Sequence, residues 1–342
     1  MKLGVHLNSQ HPADEDPRRR YAETVEQVRL MRQLGYDSIW SGEHHATDGF
    51  HYFPLMGLMQ SLAAEAEGMY IGTNIVLLPF HNPVEMAELG AFLDVLSGGK
   101  FLFGVGLGYR QEEFDIFRVP IKERVSRTAE GVEIIRRLWT EDGVTHHGRH
   151  WQLDKVTIRP RPVQQPSPPI LIAAQVEAAI QRAARIGDGW CVAPLPKVDE
   201  IVKEVATYKT ARSAAGHPPA EHIVRLLEVA CAADEETALR RAAPFLLSKY
   251  EAYASWGLPG LDFDKNAKPE EQLKQLGANR FGVGTPEQVT EALLQQHRAG
   301  ITHVAMRLSW PGMKQDDILA VIEVLGRKVF PEVRRQIASE KS

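Results

Sequence analysis

The chain has 342 residues, of which 44% are hydrophobic and 25% charged, which is typical of a water-soluble globular protein. A net charge of −4 argues against a basic protein that binds nucleic acid or an anionic membrane surface. The two cysteines, Cys191 and Cys231, argue against a disulfide scaffold and a thiolate zinc site, and no signal peptide or membrane span is apparent, so we expect a cytoplasmic protein.

Short apolar strands alternate with amphipathic helices along the whole chain. Strands are predicted at 3–7, 37–41, 69–79, 100–108, 170–174, 188–194, 222–233 and 301–309. Helices are predicted at 21–36, 55–68, 83–99, 121–139, 176–187, 198–216, 234–254, 285–300 and 315–336. A hairpin and a proline-rich loop are predicted between the fourth helix and the fifth strand.

This order indicates a parallel sheet, because parallel neighbours need a crossover such as a helix. Eight strand–helix pairs most simply close into a (β/α)8 TIM barrel, an α/β fold. A doubly wound open sheet is the alternative, but the first strand is followed by "HLNSQHP" and not by a G-x-G-x-x-G turn. We expect one domain over 1–342, with insertions near 141–168 and 255–282.

The segment "SGEHHAT" follows the second strand and brings Glu43, His44 and His45 to a strand end, where barrel enzymes place their active sites. Three interpretations compete: a metal site, a catalytic base beside a cofactor, and a solvated loop. Neighbouring side chains on an extended segment point apart, and there is no H-x-x-x-H helix spacing. We therefore expect no metal site and favour the catalytic interpretation.

Two other strand ends have the composition of an anion site. "FGVGLGYRQEEF" places glycines after the fourth strand, and Tyr109 and Arg110 add a hydroxyl and a charge. "ILIAAQV" runs directly into a helix, so the amides of Gln175 and Val176 suit a phosphate. Asn74, at a polar interruption of the third strand, offers a donor and an acceptor to a ring. Each signal is weak alone.

Taken together, these segments resemble the luciferase-like flavin-dependent monooxygenase family. The matching pieces include "LGYDSIWSGEHH", "IGTNIVLLPFHNPVEMAELGAFLDVLSGGKFLFGVGLGYRQEEF", "RVSRTAEGVEIIRRLW", "RAARIGDGW" and "GTPEQVTEALLQQHRAGITHVAM". The resemblance spans nearly the whole chain and implies a barrel, usually dimeric, that binds FMN in its reduced form, FMNH2. It also implies O2, a small organic substrate and a separate flavin reductase that supplies FMNH2.

The resemblance also assigns individual residues. His44 matches the catalytic base of the family. Seven positions match the cofactor site, namely Glu43 beside the flavin, Asn74 at the third-strand bulge, Leu107 and Tyr109 along the ribityl chain and phosphate, and Ala174, Gln175 and Val176 at the phosphate turn. The apolar segment 50–56 and an insertion containing Trp256 are expected to form walls and a lid.

Departures from the family pattern leave two alternatives open. The phosphate turn lacks hydroxyl side chains, Val125 stands where some relatives have a tyrosine, and Leu107 stands where luciferase has an arginine. One alternative is a deazaflavin (coenzyme F420)-dependent oxidoreductase that transfers hydride without oxygen. The other is a flavin-binding partner subunit without turnover, against which the presence of His44 argues.

Overall fold

The protein is described by a computed structural model, which covers residues 1–255 and 263–340. Its strands are β1 Lys2–His6, β2 Gln10–Pro12, β3 Ser38–Ser41, β4 Phe50–Tyr52, β5 Tyr70–Thr73, β6 Val76–Leu77, β7 Phe101–Gly106, β8 Val144–His147, β9 Gln152–Val156, β10 Ile170–Ala174, β11 Gly189–Val192, β12 Ile223–Cys231, β13 Gly282–Gly284 and β14 His303–Arg307. Its helices are α1 Pro17–Gln33, α2 Leu55–Leu62, α3 Pro83–Leu96, α4 Gln111–Ile116, α5 Arg124–Thr140, α6 Glu177–Ile186, α7 Val198–Ala214, α8 Glu235–Ser255, α9 Pro269–Gly277, α10 Pro286–Arg298, α11 Gln315–Val324 and α12 Phe330–Ser339.

Eight parallel strands close into a barrel in the order β1, β3, β5, β7, β10, β11, β12, β14. The ring is complete because β14 pairs with β1, and β7 pairs with β10. Helices separate the successive strands in the sequence, as a parallel ring requires. The predicted (β/α)8 barrel is therefore confirmed, and the open sheet is excluded.

The barrel interior is a small separate core below the mouth. Its buried members come from six different strands, namely Trp40, Leu102, Leu171, Cys191, Val224 and Ala305. The ring of Trp40 crosses Gly72, where a Cβ would lie 2.0 Å from the indole, so this position accepts only glycine. The larger core lies between the strands and the surrounding helices. A packed interior leaves the strand ends as the place for a ligand.

Several local features match or revise the predicted elements. The predicted hairpin is formed by β8 and β9, whereas the antiparallel pair β2–β4 and the short strand β13 were not predicted. The predicted third strand breaks into β5 and β6 around a cis peptide between Asn74 and Ile75. The predicted last helix is α11 and α12 joined by a π-helical turn, Leu325–Val329.

The second predicted insertion contains α9, and Trp256 lies outside the described residues. The described part of the chain contains no helix with the length and hydropathy needed to cross a membrane.

Candidate active site

A cavity of about 900 Å³ opens at the carboxyl ends of the barrel strands. All eight barrel strands, or the residues that follow them, contribute to its wall. The eight predicted site residues all line it, namely Glu43, His44, Asn74, Leu107, Tyr109, Ala174, Gln175 and Val176. Segment 50–56 contributes Phe50 and Tyr52. The volume and the mixture of apolar walls and a few polar groups are typical of a cofactor or substrate site.

The His44 imidazole is held by a buried carboxylate. His44 Nδ1 lies 3.0 Å from Glu113 Oε1, and Glu113 is only 1% exposed. A carboxylate is an acceptor, so Nδ1 carries the proton of this hydrogen bond and Nε2 is left to exchange a proton. The same oxygen accepts the backbone N–H of His45 at 2.9 Å. Burial would raise the pKa of Glu113, but the His44 hydrogen bond and the His45 amide lower it below its ordinary value, so it stays ionised.

Glu43 lies on the other side of the same segment, in a cluster with His45 and His81. His81 Nε2 donates to Glu43 Oε1 at 2.8 Å, and His45 Nε2 lies 3.8 Å from Oε2. Burial alone would raise the pKa of Glu43, yet the adjacent imidazoles lower it to about 2. Burial would lower the pKa of His81, but the bond to Glu43 raises it. The result is a buried ion pair beside the cavity.

Side chains alternate between the two sides of an extended chain, which explains why Glu43 and His44 contact different partners. Side chains two apart share a side, so Glu43 and His45 meet His81, while His44 faces Glu113. One ligand atom each from Glu43, His45 and His81 lie within 4.8 Å of one another, which is a spacing that a metal ion can bridge. The absence of a metal therefore stays a prediction, because His81 completes a set that adjacent residues could not form.

The break in the third strand brings backbone close to the cavity. A Cβ on Gly42 would lie 2.6 Å from the Asn74 carbonyl oxygen, so glycine permits this approach. His6 Nε2 bonds that same carbonyl at 3.0 Å. The Asn74 side-chain nitrogen is buried and has no hydrogen-bond partner among the described residues. A buried donor of this kind fits a ligand acceptor, such as a carbonyl of a flavin ring.

A cationic end of the cavity lies near the first turn of α6. Helix α6 starts at Glu177, and its N-cap Val176 gives no side-chain hydrogen bond, so the first amides are open to an anion. Arg124 lines the cavity, with Nη1 3.0 Å from the Gly108 carbonyl oxygen. Burial, with Arg185 and Arg124 nearby, lowers the pKa of Arg182, which indicates a concentration of positive charge here. These groups fit the phosphate of FMN.

Arg110 differs from the sequence-based expectation. It pairs with Glu113 at 3.4 Å and with Glu112 at 4.0 Å, so its charge is compensated by carboxylates. Arg124 is the arginine better placed for a phosphate, and it was not predicted from the sequence. Glu113 and His81 were also missed. The only signals were an acidic residue just after the glycine-rich strand end and a histidine just after the third strand.

Comparison with known proteins now identifies the fold family. The model of the family described as "Luciferase-like monooxygenase" matches residues 1–303. The chain belongs to the luciferase-like monooxygenase family. The crystal structure of monooxygenase RslO1 from Streptomyces bottropensis superimposes with a TM-score of 0.85 at 26% identity, over 97% of this chain and 99% of that one. The chain is thus an oxidoreductase of this family.

Luciferase-like relatives include users of two cofactors. The oxygenase component of the flavin-dependent trigonelline monooxygenase of Acinetobacter baylyi is 28% identical over 75% of this chain and 72% of its own. An F420-dependent glucose-6-phosphate dehydrogenase of Amycolatopsis mediterranei is 26% identical over 91% of this chain and 94% of its own. Sequence similarity to these relatives therefore does not decide between a flavin and a deazaflavin cofactor.

Proposed function

We propose that this protein is an FMNH2-dependent, O2-using monooxygenase that acts on a small organic substrate. The observation that carries the proposal is the pairing of His44 with the buried carboxylate of Glu113 at the wall of a cavity that Arg124 also lines. The named function of the trigonelline relative supports the same reaction class. When bound, reduced FMN supplies the electrons that activate O2.

The residues of the chain have separate tasks in this proposal. Arg124 and the first turn of α6 hold the phosphate, and the Asn74 amide donates to the ring. His44 exchanges a proton through Nε2, while Glu113 fixes its tautomer and orientation. The ion pair of Glu43 and His81 anchors the loop that delivers His44. The apolar wall excludes water from the reacting atoms.

The test begins with cofactor binding. Apo protein is titrated with FMN, photoreduced FMN and coenzyme F420 under anaerobic conditions, and affinity is measured by calorimetry and by the rise in melting temperature. We expect reduced FMN to bind at least about tenfold more tightly than F420. With a separate flavin reductase and a substrate panel, incorporation of oxygen from ¹⁸O₂ into a product then tests the reaction. A clear preference for F420 would refute the cofactor assignment.

A dehydrogenase that uses F420 is the second candidate, because the Amycolatopsis relative matches over nearly the whole chain. The flavin dependence named for the trigonelline relative supports FMN as the first candidate. We also propose a separate reductase, a homodimer, a cytoplasmic location and a single domain with insertions near 141–168 and 255–282. Size-exclusion chromatography with light scattering tests the dimer.

A further inference from the structure

His6, at the end of β1, has a ring nitrogen without a partner at the cavity wall. The residue lines the cavity and is only 5% exposed, and its Nε2 lies 3.0 Å from the Asn74 carbonyl oxygen. A carbonyl oxygen only accepts hydrogen bonds, so Nε2 carries the ring proton. The other tautomer would set the Nε2 lone pair against that oxygen. Nδ1 is therefore an acceptor, and it is buried without a hydrogen-bond partner among the described residues.

The charge state of His6 keeps this acceptor available. Burial first, and then the charge of Arg307, lower the pKa of His6 to about 3, although the bond to Asn74 raises it. The imidazole is therefore neutral at physiological pH and holds one N–H and one lone pair. A buried acceptor without a donor is unfavourable, so a ligand that brings an O–H or N–H to Nδ1 gains stability there.

His6 stands between the residues assigned to the cofactor and the opposite wall of the cavity. In the barrel ring, β1 lies between β14 and β3. Val5 is in register with Met306, so His6 is level with Arg307 on β14. His6 also contacts the backbone of Asn74, whose side chain we assign to the flavin ring. A donor bound at His6 thus lies beside the cofactor, and the rest of its molecule can extend past β14.

The wall beyond β14 contains a pair of parallel aromatic rings. Phe245, from α8, and Trp310, three residues after β14, both line the cavity. Their ring centroids are 6.4 Å apart, and the two planes are inclined by only 12°. The Trp310 indole N–H donates to Glu228 Oε2 at 3.0 Å, which fixes the ring and occupies its donor. Since aromatic rings favour offset parallel stacking, a flat ligand ring can pack parallel to this pair.

The neighbours of this pair are mostly apolar. They come from the segments after β11 and β14, from β12 and from α8, namely Leu195, Pro311, Leu226 and Pro244. Lys249 and Arg307 also line the cavity here, and both contact the buried carboxylate of Glu228. Burial of an apolar ring against such a wall is favourable and needs no polar partner. The wall therefore suits the aromatic body of a ligand.

We propose that the substrate is a hydroxylated aromatic compound, such as a phenol. Its hydroxyl donates to His6 Nδ1, and its ring packs against Phe245 and Trp310. The unpaired acceptor accounts for the hydroxyl, and the parallel aromatic pair accounts for the flat ring. This inference rests on the proposed function, since it names the substrate class for the same cavity.

Matched probes test the two parts of the proposal without knowledge of the natural substrate. The probes are 4-propylphenol, 4-propylanisole, propylbenzene and 4-propylcyclohexanol, and their binding is measured by calorimetry on the protein with and without FMN. We expect the phenol to bind about tenfold or more tightly than the anisole and propylbenzene, which have no donor. We expect it to bind about threefold or more tightly than the cyclohexanol, which has no flat ring. Equal binding in either comparison, or binding of no probe, overturns the proposal.

Variants of His6 assign the hydroxyl contact to one atom. In His6→Gln the amide nitrogen can replace Nε2 and keep the bond to Asn74, but no acceptor stands at the Nδ1 position, so the phenol-over-anisole preference should disappear. In His6→Asn the amide oxygen can replace Nδ1, so the preference should remain. His11→Gln is the matched control and should keep the preference, because His11 is also buried, with an unpartnered Nε2, but does not line the cavity.

A second pair of variants tests the aromatic wall. Phe245→Leu should remove most of the phenol-over-cyclohexanol preference, because one of the two parallel rings is lost. Phe92→Leu, at an exposed position of α3, is the control and should keep it. Circular dichroism checks that each variant folds. An unchanged preference in folded Phe245→Leu would contradict the proposed packing.

The same variants distinguish a substrate contact from a cofactor contact. The affinity for reduced FMN is measured separately, in the absence of any probe. If His6→Gln weakens the binding of reduced FMN and leaves the phenol-over-anisole ratio unchanged, Nδ1 serves the cofactor and the proposal is refuted. The probe ratios of the wild-type apo protein need neither a variant nor FMN. They therefore test the substrate class even if a variant does not fold or the cofactor assignment fails.

Discussion

Replacement of Glu43 by glutamine tests the buried ion pair at the centre of the "EHH" segment. The substitution keeps the size of the side chain and an oxygen for the Leu77 amide and the His81 imidazole, but removes the charge. A pKa lowered from 4.5 to about 2 corresponds to a contribution of about 3 kcal/mol to folding at pH 6. At that pH, Glu43 is ionised, and His81, with its raised pKa, is protonated.

The pH dependence gives the prediction its sign. Since the pKa of Glu43 is lower in the folded state, its stabilisation is fully present above about pH 4.5 and is lost as pH falls through about 2. Since the pKa of His81 is raised, the ion-pair contribution is also lost as pH rises through that folded value. The difference between wild type and Glu43→Gln should therefore be largest near pH 5–6 and fall to roughly half by pH 3.

Urea unfolding of both proteins between pH 3 and pH 8 measures this difference, with the slope m checked for equality. Other carboxylates titrate in both proteins and cancel in the comparison. Glu65→Gln is the matched control, because Glu65 has an ion pair with Arg29 and a lowered pKa but lies at the surface, half-buried beside an exposed arginine, so little change is expected. Equal destabilisation by the two substitutions, or a pH-independent difference for Glu43→Gln, would refute the assignment of a buried ion pair.

Three further predictions concern the cavity. Glu113→Gln should lower kcat by about 10- to 100-fold with little change in KM and alter the pH–rate profile, because His44 loses the carboxylate that orients it. Glu112→Gln, at an exposed neighbour, is the control and should leave kcat unchanged, and an unaltered kcat in Glu113→Gln would contradict this role. Arg124→Met should weaken FMN binding about tenfold or more without affecting the binding of riboflavin, which lacks the phosphate. Lys122→Met is the control and should leave both affinities unchanged, and equal weakening of both ligands by Arg124→Met would argue against a phosphate contact. Treatment with EDTA should leave FMN affinity and melting temperature unchanged. A metal site at Glu43, His45 and His81 would instead be revealed if zinc raised the melting temperature and His81→Ala abolished that rise.

The barrel was predictable because its signal is local. Each strand is a short apolar run, such as "FLFGVG", in which all six residues are buried in β7. Helix starts are also local, as at α3, where Asn82 caps the helix and Pro83 occupies its first position. Eight such units in this order are compatible with few topologies, and eight parallel strands most simply close into a barrel.

The partners of the site residues were not predictable in the same way. Glu113 lies 69 residues from His44, and His81 lies 38 residues from Glu43. Only the closed ring brings these strand ends together, and no spacing in the sequence encodes the pairing. Arg124 illustrates the same limit, since it belongs to the start of α5 and reaches the cavity only because that helix begins near the turn after β7. The sequence thus indicated the wall of the cavity but not its electrostatics.

The distribution of polar groups on the described cavity wall separates a proton-transfer region from a phosphate region. Near the second and fourth barrel strands, the pairs Glu43–His81 and Glu113–His44 hold buried carboxylates beside N–H donors, so this wall can orient a proton donor. Arg124 and the open first turn of α6 offer the cation and the amides that a phosphate needs. A flavin nucleotide joins an uncharged ring to a charged phosphate, so these two regions suit the two ends of one cofactor, and an interchange of their charges would disfavour both ends.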